Sequence, residues 1–294
     1  MSLPAVLAGA CDCHVHIYGA GYPLAPSATF VPPPASVDDY RAMQQALGIE
    51  RAVLVQPTGY GFDNRCLLDA LAAMGPTARG VATVPADVDE ATLQRLHTAG
   101  VRGVRFMMLP GSGGLLGWSD LPALAARIAP LGWHIDLQLD GRDLPHRRAL
   151  VDSLPANVVI DHIGKFLEPV ATDDIAFVTL QRMLDRPGRW VKLAAPYETS
   201  KLGPPHYDDV SALARALVVS HTGRCLWASN WPHPNRVPRP DDAALLGLLD
   251  RWAPSARERE AILVHNPVDV YGFAHSAGHL SEGVAGRPLG ARPA

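Results

Sequence analysis

Short apolar segments alternate with helical patterns along almost the entire chain, and this alternation most strongly constrains the fold. Continuous apolar runs such as residues 52–55 and 158–160 are typical of parallel strands that are covered on both faces. Strands that alternate with helices predict βαβ units and a parallel sheet. The candidate strands cover residues 12–18, 51–57, 79–84, 103–109, 133–140, 157–163, 190–195 and 225–230.

The segments between these strands carry helix start and stop signals. Asp38 and Asp39 open a segment that ends at Gly48. Acidic residues favour the N-terminal end of a helix, and glycine favours the position after its last turn. Asp89 opens a similar segment that ends before Gly100. The same pattern recurs over residues 143–153, 173–185, 208–220 and 241–252.

Eight strand–helix pairs in a chain of 294 residues predict a single α/β domain, a (β/α)8 TIM barrel over residues 1–273. An open doubly wound sheet is the structural alternative, but no G-x-G-x-x-G follows the first strand. Residues 19–36 are rich in proline and glycine and are expected to form a loop over the barrel mouth. Residues 274–294 are rich in glycine and alanine and are expected to form a poorly ordered tail.

The charge balance excludes several classes of function. The chain has 26 Lys and Arg residues against 29 Asp and Glu residues, which gives no basic footprint for nucleic acid or an anionic membrane. No apolar run reaches the roughly 20 residues that span a bilayer, and the first residues lack the basic segment of a secretory signal. The four cysteines have no C-x-x-C spacing and predict reduced thiols. We therefore expect a cytoplasmic protein that acts on a small molecule, and the sequence leaves its oligomeric state open.

Histidines cluster at the ends of two predicted strands, where a barrel holds its chemistry. His14 and His16 share one face of the first strand because side chains alternate along a strand, and the same period places Asp12 with them. The sixth strand ends in Asp161 and His162, one of which points inward. A single histidine at a strand end is usually structural, but His14, His16 and His162 together favour a functional site.

Other strand ends carry further polar candidates. Arg105 on the fourth strand is either an outer salt-bridge residue or a clamp for an anion. Gln138 on the fifth strand is a weaker candidate for the site. Lys192 on the seventh strand is expected to be a structural ion-pair partner rather than a Schiff-base amine. The eighth strand ends at Asn230, and His233 follows it closely.

Three motifs stand at these strand ends: Asp12-Cys-His14-Val-His16, Asp161-His162-Ile-Gly164 and Trp227-Ala-Ser-Asn230-Trp-Pro-His233. In this order and spacing they resemble the amidohydrolase superfamily, most of all the branch that contains 2-pyrone-4,6-dicarboxylate lactonase and galactarolactone isomerase. The resemblance runs over residues 12–273 and implies a (β/α)8 barrel that acts on a lactone without a required metal. It also implies that His14, His16 and His162 surround the carbonyl under attack, and that Arg105 holds a substrate carboxylate.

The chain departs from this branch at four places, and at one of them residues 110–114 replace the region of a second strand-four arginine. Asn230 stands where the lactonases carry an aspartate, and a neutral amide can orient water but cannot take its proton near neutral pH. Gln138 stands at the position of a tyrosine in the dicarboxylate lactonase and of a histidine ligand in metal-dependent relatives. Glu198, beside Tyr197, stands where that lactonase has an arginine. These replacements disfavour zinc or another divalent metal, so no cofactor is expected, and they favour a less anionic or more hydroxylated lactone.

The expected function is hydrolysis of a carboxylate-bearing lactone, of sugar-acid or pyrone-like type, by a metal-independent enzyme. The catalytic candidates are His14, His16, His162, Asn230 and His233, with His162 or His233 as the base that activates water. The substrate-binding candidates are Arg105, Gln138, Tyr197 and Glu198. If a substrate hydroxyl attacks instead of water, the enzyme is an intramolecular lactone isomerase. A barrel that binds a sugar acid without catalysis and a metal-dependent decarboxylase or amidase are the remaining alternatives.

Overall fold

A computed structural model describes residues 7–274, and it confirms the predicted (β/α)8 barrel. Eight strands form one sheet in chain order, and each pairs in parallel with the next. The predicted tail lies outside the described residues, apart from Ala274. The strands are β1 Cys11–Val15, β2 Arg51–Val55, β3 Ala78–Ala82, β4 Val101–Met107, β5 His134–Gln138, β6 Asn157–Ile160, β7 Arg189–Leu193 and β8 Cys225–Trp227.

The helices surround the sheet, and their starts follow the predicted signals. Ser36 and Asp39 form a capping box at the start of α1, and Gly48 ends that helix with a left-handed φ of 67°. Among residues 7–274 no helix has the length and apolarity to cross a membrane. The helices are α1 Val37–Leu47, α2 Arg65–Met74, α3 Glu90–Thr98, α4 Leu121–Ile128, α5 Leu144–Ser153, α6 Ile175–Leu184, α7 Asp208–His221, α8 Asp242–Gly247, α9 Leu249–Trp252, α10 Ala256–Glu260 and α11 Asn266–Tyr271.

A bulge in β1 changes which side chains enter the barrel. Asp12 pairs with Ala52 and Val15 with Leu54, so β1 uses one residue more than β2 over the same stretch. The strict alternation that we expected for Asp12, His14 and His16 is therefore wrong. Asp12 contacts Tyr40 on α1, outside the barrel, whereas His14 reaches the interior.

Asp12 instead joins the two edges of the sheet. Its buried carboxylate accepts hydrogen bonds from the Ser229 backbone N–H at 2.9 Å and from Ser229 Oγ at 2.5 Å. Beyond the end of β8, the Asn230 N–H donates to the His14 carbonyl at 3.0 Å, and the His16 N–H donates to the Trp231 carbonyl at 2.8 Å. The closure of the barrel thus fixes the backbone of His16 and Asn230 side by side.

The chain returns to close the opposite end of the barrel. Tyr271, at the end of α11, meets the buried His134 ring edge-on with ring centres 5.2 Å apart. Arg79, on β3, stacks over the Phe273 ring at 4.7 Å and donates to the Gly272 carbonyl. Above this plug lies an apolar layer formed by Cys11, Cys13, Val53, Val81, Val159 and Leu226. All four cysteines are buried free thiols, as expected.

The closing contact gives a stability prediction. Ser229→Ala removes one donor to the buried Asp12 carboxylate and the acceptor of the Trp231 N–H. Leaving buried polar atoms without partners typically costs about 1–3 kcal/mol, so we expect the free energy of unfolding in urea to fall by that amount. Ser220→Ala on the exposed face of α7 is the matched control and should change it by less than about 0.5 kcal/mol. An unchanged urea midpoint for Ser229→Ala would contradict this account of the closure.

Candidate active site

A cavity of about 250 Å³ opens at the C-terminal ends of the strands. The loop over residues 19–36 covers part of it, as expected, and contributes Thr29 and Phe30 to its wall. Two hydrogen bonds of 2.9 Å between the backbones of Tyr18 and Ala35 hold the two ends of this loop together. The polar residues that line the cavity are His16, Tyr18, Thr29, Thr58, Arg105, Ser112, Gln138, His162, Lys165, Glu198, Asn230 and Asn235.

His16 lines the cavity with a defined protonation pattern. Its Nδ1 lies 2.8 Å from the Val55 carbonyl oxygen, and only a ring N–H can bond to a carbonyl. Burial and the nearby Arg105 lower the pKa of His16 to about 3, so the ring is neutral and its Nε2 carries a lone pair. His14 Nε2 lies 3.2 Å from that Nε2 and must therefore be the donor.

His14 lies beneath His16 and does not line the cavity, in contrast to the expectation that three imidazoles surround the substrate. Its Nδ1 lies 3.0 Å from Lys192 Nζ and accepts a hydrogen bond from that ammonium group. Burial and the charge of Lys192 hold the pKa of His14 well below its usual value. A directional chain results, in which Lys192 donates to His14, His14 to His16, and His16 to the Val55 carbonyl.

Lys192 is the buried ion-pair partner that the sequence predicted. Its Nζ lies 2.7 Å and 2.8 Å from the two oxygens of Asp136 and 3.1 Å from Asp161 Oδ1. Burial lowers the pKa of Lys192, but the two carboxylates outweigh burial and raise it. Burial also raises the pKa of Asp161, and Lys192 and His14 reverse that effect and hold it well below its usual value. Burial and Asp161 raise the pKa of Asp136 to about 7, although Lys192 opposes them. Lys192 and Asp161 therefore form the charged pair inside the barrel.

Both residues at the end of β6 face inward, which settles the alternative that the sequence left open. Asp161 joins the buried layer around Lys192, and His162 lines the cavity. The chain turns sharply here, with left-handed φ values of 53° at His162 and 58° at Ile163. Burial lowers the pKa of His162 to about 4, although Asp161 and Glu198 act in the opposite direction. His162 is therefore a neutral imidazole at the cavity wall.

Arg105 lies inside the barrel and not in an outer salt bridge. It donates to the Gln56 carbonyl at 2.9 Å and to Gln138 Oε1 at 3.0 Å. No carboxylate within residues 7–274 pairs with it. Its guanidinium group is thus held by two neutral acceptors, and its positive charge is available to an anion in the cavity.

Opposite Arg105, a carboxylate and an amide lie together. Asn230 Nδ2 donates to Glu198 Oε1 at 3.2 Å and to the Tyr197 hydroxyl at 2.9 Å. Lys165 Nζ forms an ion pair with Glu198 Oε2. Burial raises the pKa of Glu198, but Lys165 and His162 outweigh it and lower the pKa to about 2. Sequence reasoning missed Lys165, although its place one residue after the Asp161–Gly164 motif was an available signal.

His233 and Tyr197 stand behind Asn230 and do not line this cavity. His233 Nε2 lies 2.7 Å from Asp242 Oδ1, and its Nδ1 lies 2.8 Å from the Tyr197 hydroxyl oxygen. Because a carboxylate only accepts, His233 donates to Asp242 and accepts from Tyr197. The structure thus places His233 and Tyr197 behind Asn230, and their roles as a base and as a substrate contact stay predictions. Both residues orient the Asn230 amide through one chain of hydrogen bonds.

The residues present do not fit a divalent metal. His14, Asp161 and His162 offer three donor atoms within 4.8 Å of one another. However, Lys192 Nζ lies 3.0 Å from His14 Nδ1 and 3.1 Å from Asp161 Oδ1, so an ion on these donors would meet an ammonium charge. Gln138 and Asn230 add only neutral amides at the cavity wall.

The fold and the site define a barrel enzyme whose polar groups converge at the strand ends. Residues 11–273 match the family model described as Amidohydrolase. The chain belongs to this amidohydrolase family.

Curated relatives cover nearly the same region. The chain is 38% identical over 276 residues to 2-pyrone-4,6-dicarboxylate hydrolase of Comamonas testosteroni, with 90% of each chain covered. It is 35% identical over 269 residues to D-galactarolactone isomerase of Agrobacterium fabrum, with 90% of this chain and 91% of the relative covered. An apo crystal structure of an Agrobacterium tumefaciens protein is 34% identical and superposes with a TM-score of 0.88, covering 93% of this chain and 99% of that chain.

The buried ion pair gives the prediction for this site. Lys192→Met leaves Asp136 and Asp161 without a counterion, and breaking a buried pair from one side costs about 3–5 kcal/mol. We expect the free energy of unfolding to fall by that amount in chemical denaturation. The double variant Lys192→Met with Asp136→Asn removes one of the two buried carboxylates and should recover part of the loss. Equal stability of the wild type and the Lys192→Met variant would contradict the charged pair.

Proposed function

We propose that this protein is a metal-independent lactone-processing enzyme that hydrolyses a carboxylate-bearing lactone. The observation that carries the proposal is the position of the unpaired Arg105 guanidinium beside His16 and His162 in one cavity. The names of the curated relatives support it, because they describe hydrolases and an isomerase of lactones at 33–38% identity.

The geometry suits a bound ring ester. Because His16 is held as a hydrogen-bond acceptor, His162 is the imidazole that can donate to a lactone carbonyl and to the oxyanion formed on attack. Arg105 uses two of its N–H groups on Gln56 and Gln138, which fixes the plane of the guanidinium group. A substrate carboxylate would accept hydrogen bonds from the remaining N–H groups. This places the reacting carbonyl at a fixed distance from the carboxylate of the same substrate.

The charges of the cavity favour a substrate with one carboxylate. Arg105 and Lys165 are positive and Glu198 is negative, which leaves one net positive charge at the wall. The other polar groups are amides and hydroxyls, including Gln138 and Asn230, and such groups bind hydroxyls rather than a second anion. We therefore propose a hydroxylated sugar-acid lactone in preference to a planar dicarboxylate.

The proposal of metal independence rests on Lys192. Its ammonium group supplies, at the centre of the buried acidic layer, the positive charge that a divalent ion would otherwise bring. The charge of the lactone oxyanion is then met by the neutral donor His162.

A second candidate function is favoured by Asn230. A neutral amide beside the cavity does not activate water, and this would suppress hydrolysis when a hydroxyl of the substrate is the attacking group. The enzyme would then move the ester within one sugar acid as an intramolecular lactone isomerase of galactarolactone type.

A proton NMR time course with a panel of uronic and aldaric lactones tests the proposal. Hydrolysis gives the open hydroxy acid, and ring migration gives a second lactone, so one spectrum distinguishes the two functions. We expect turnover of at least one lactone with a single free carboxylate and none of the dicarboxylate pyrone. If lactones raise the melting temperature and no lactone reacts, the protein is a sugar-acid-binding barrel, which would contradict the proposal.

The role of His162 gives a second test. Removing one donor from an oxyanion site typically lowers the rate about 100- to 1,000-fold, so we expect that loss in kcat for His162→Ala. His146→Ala, on the exposed surface of α5, is the control and should retain full turnover. Full turnover by His162→Ala would contradict the assigned role.

A further inference from the structure

One carboxylate alone lines the cavity among the residues that the structure describes, and it belongs to Glu198. Glu198 lies in the turn Pro196–Glu198, which follows β7, so the acid reaches the cavity from the strand next to β8. Its side chain is 18% exposed, which leaves it open to a bound substrate. The Asn230 side chain has no acidic group, but the Glu198 carboxylate oxygen Oε1 lies 3.2 Å from its Nδ2.

The surroundings of Glu198 hold its oxygens in place. Oε1 accepts from Asn230 Nδ2 and Oε2 pairs with Lys165 Nζ. A carboxylate oxygen has two lone pairs, so each oxygen keeps one for a third group. The Asn230 amide cannot flip to exchange its oxygen and nitrogen, because its second N–H donates to the Tyr197 hydroxyl, which is itself fixed by His233.

The neutral imidazole of His162 also lines the cavity, but it is the proposed donor to the lactone carbonyl. The remaining proton acceptors near the cavity are already engaged. The lone pair of His16 Nε2 accepts the N–H of His14, and both nitrogens of His233 are hydrogen-bonded behind the wall. Asn230 has no basic lone pair. We propose that Glu198 is the catalytic proton acceptor of this enzyme, in place of an acid on β8; this inference rests on the proposed lactone chemistry.

The proposed step balances in both candidate reactions. As the attacking oxygen, from water or from a substrate hydroxyl, forms its bond to the lactone carbonyl carbon, its proton passes to Glu198. When the tetrahedral intermediate collapses, the bond between the carbonyl carbon and the ring oxygen breaks, and Glu198 returns the proton to that oxygen. The carboxylate is regenerated, and no further reactant is consumed.

Glu198→Gln is the direct test, because it keeps the shape and removes the proton acceptor. Loss of a general base typically lowers the rate about 100- to 10,000-fold, and we expect that loss in kcat with lactone-induced stabilisation retained. The matched control is Glu168→Gln, in the exposed pair with Lys201, which should leave kcat unchanged. The double variant Glu198→Gln with Asn230→Asp exchanges the acid and the amide and should recover part of the lost rate.

The pH profile of a Lys165→Met variant is the second test. The charged and titratable groups that face Glu198 are Lys165, His162 and Arg236. Removing Lys165 takes away the largest stabilisation of the carboxylate, so the pKa of Glu198 rises. Because the base acts only when ionised, the acid limb of kcat/KM should move to higher pH.

The outcomes separate the two proposals. If the wild type reacts with no lactone, the proposed function fails and this inference fails with it. If the wild type reacts, and Glu198→Gln reacts within about threefold of it, Glu198 is not the base, because a general base contributes far more than that. An acid limb unchanged in Lys165→Met would also overturn the assignment, whether or not Glu198→Gln folds.

Discussion

The ion pair of Lys192 with Asp136 and Asp161 is the interaction on which the site depends. Buried charged groups are costly, and the charges of Lys192 and Asp161 are tolerated because they are paired with each other, with Asp136 as a further partner of the ammonium group. The same ammonium donates to His14 Nδ1 and thereby determines which nitrogen of that ring carries the proton. The consequence reaches the cavity, because His14 in turn fixes His16.

A second chain of hydrogen bonds acts on the other side of the cavity. It runs from Asn230 through Tyr197 and His233 to Asp242. The first chain fixes the neutral imidazole of His16 at one wall of the cavity. The second chain fixes the Asn230 amide beside Glu198 at the other wall. The cavity is thus preorganised, which is the condition for stabilising charge that develops during a reaction.

Much of this architecture could be predicted from the sequence. The alternation of apolar strands and capped helices determined the barrel, since that pattern has few other solutions. Strand ends also marked His16 and His162 as residues of the site, and the family resemblance added Glu198. The bulge in β1 could not be predicted, because one extra residue in a strand leaves no trace in the apolar pattern. That residue nevertheless turns the Asp12 side chain to the outer face of the strand. The contact between Tyr197 and His233 joins residues 36 positions apart, so local patterns could not indicate it.

The central claim is that an ammonium group, and not a metal ion, provides the positive charge at the centre of this barrel. Elemental analysis of the purified protein, with lactone turnover measured before and after dialysis against a chelator, tests it most directly. We predict far less than one divalent ion per chain and a rate unaffected by the chelator. One zinc or manganese ion per chain, with a rate lost on chelation and restored by that metal, would contradict the account.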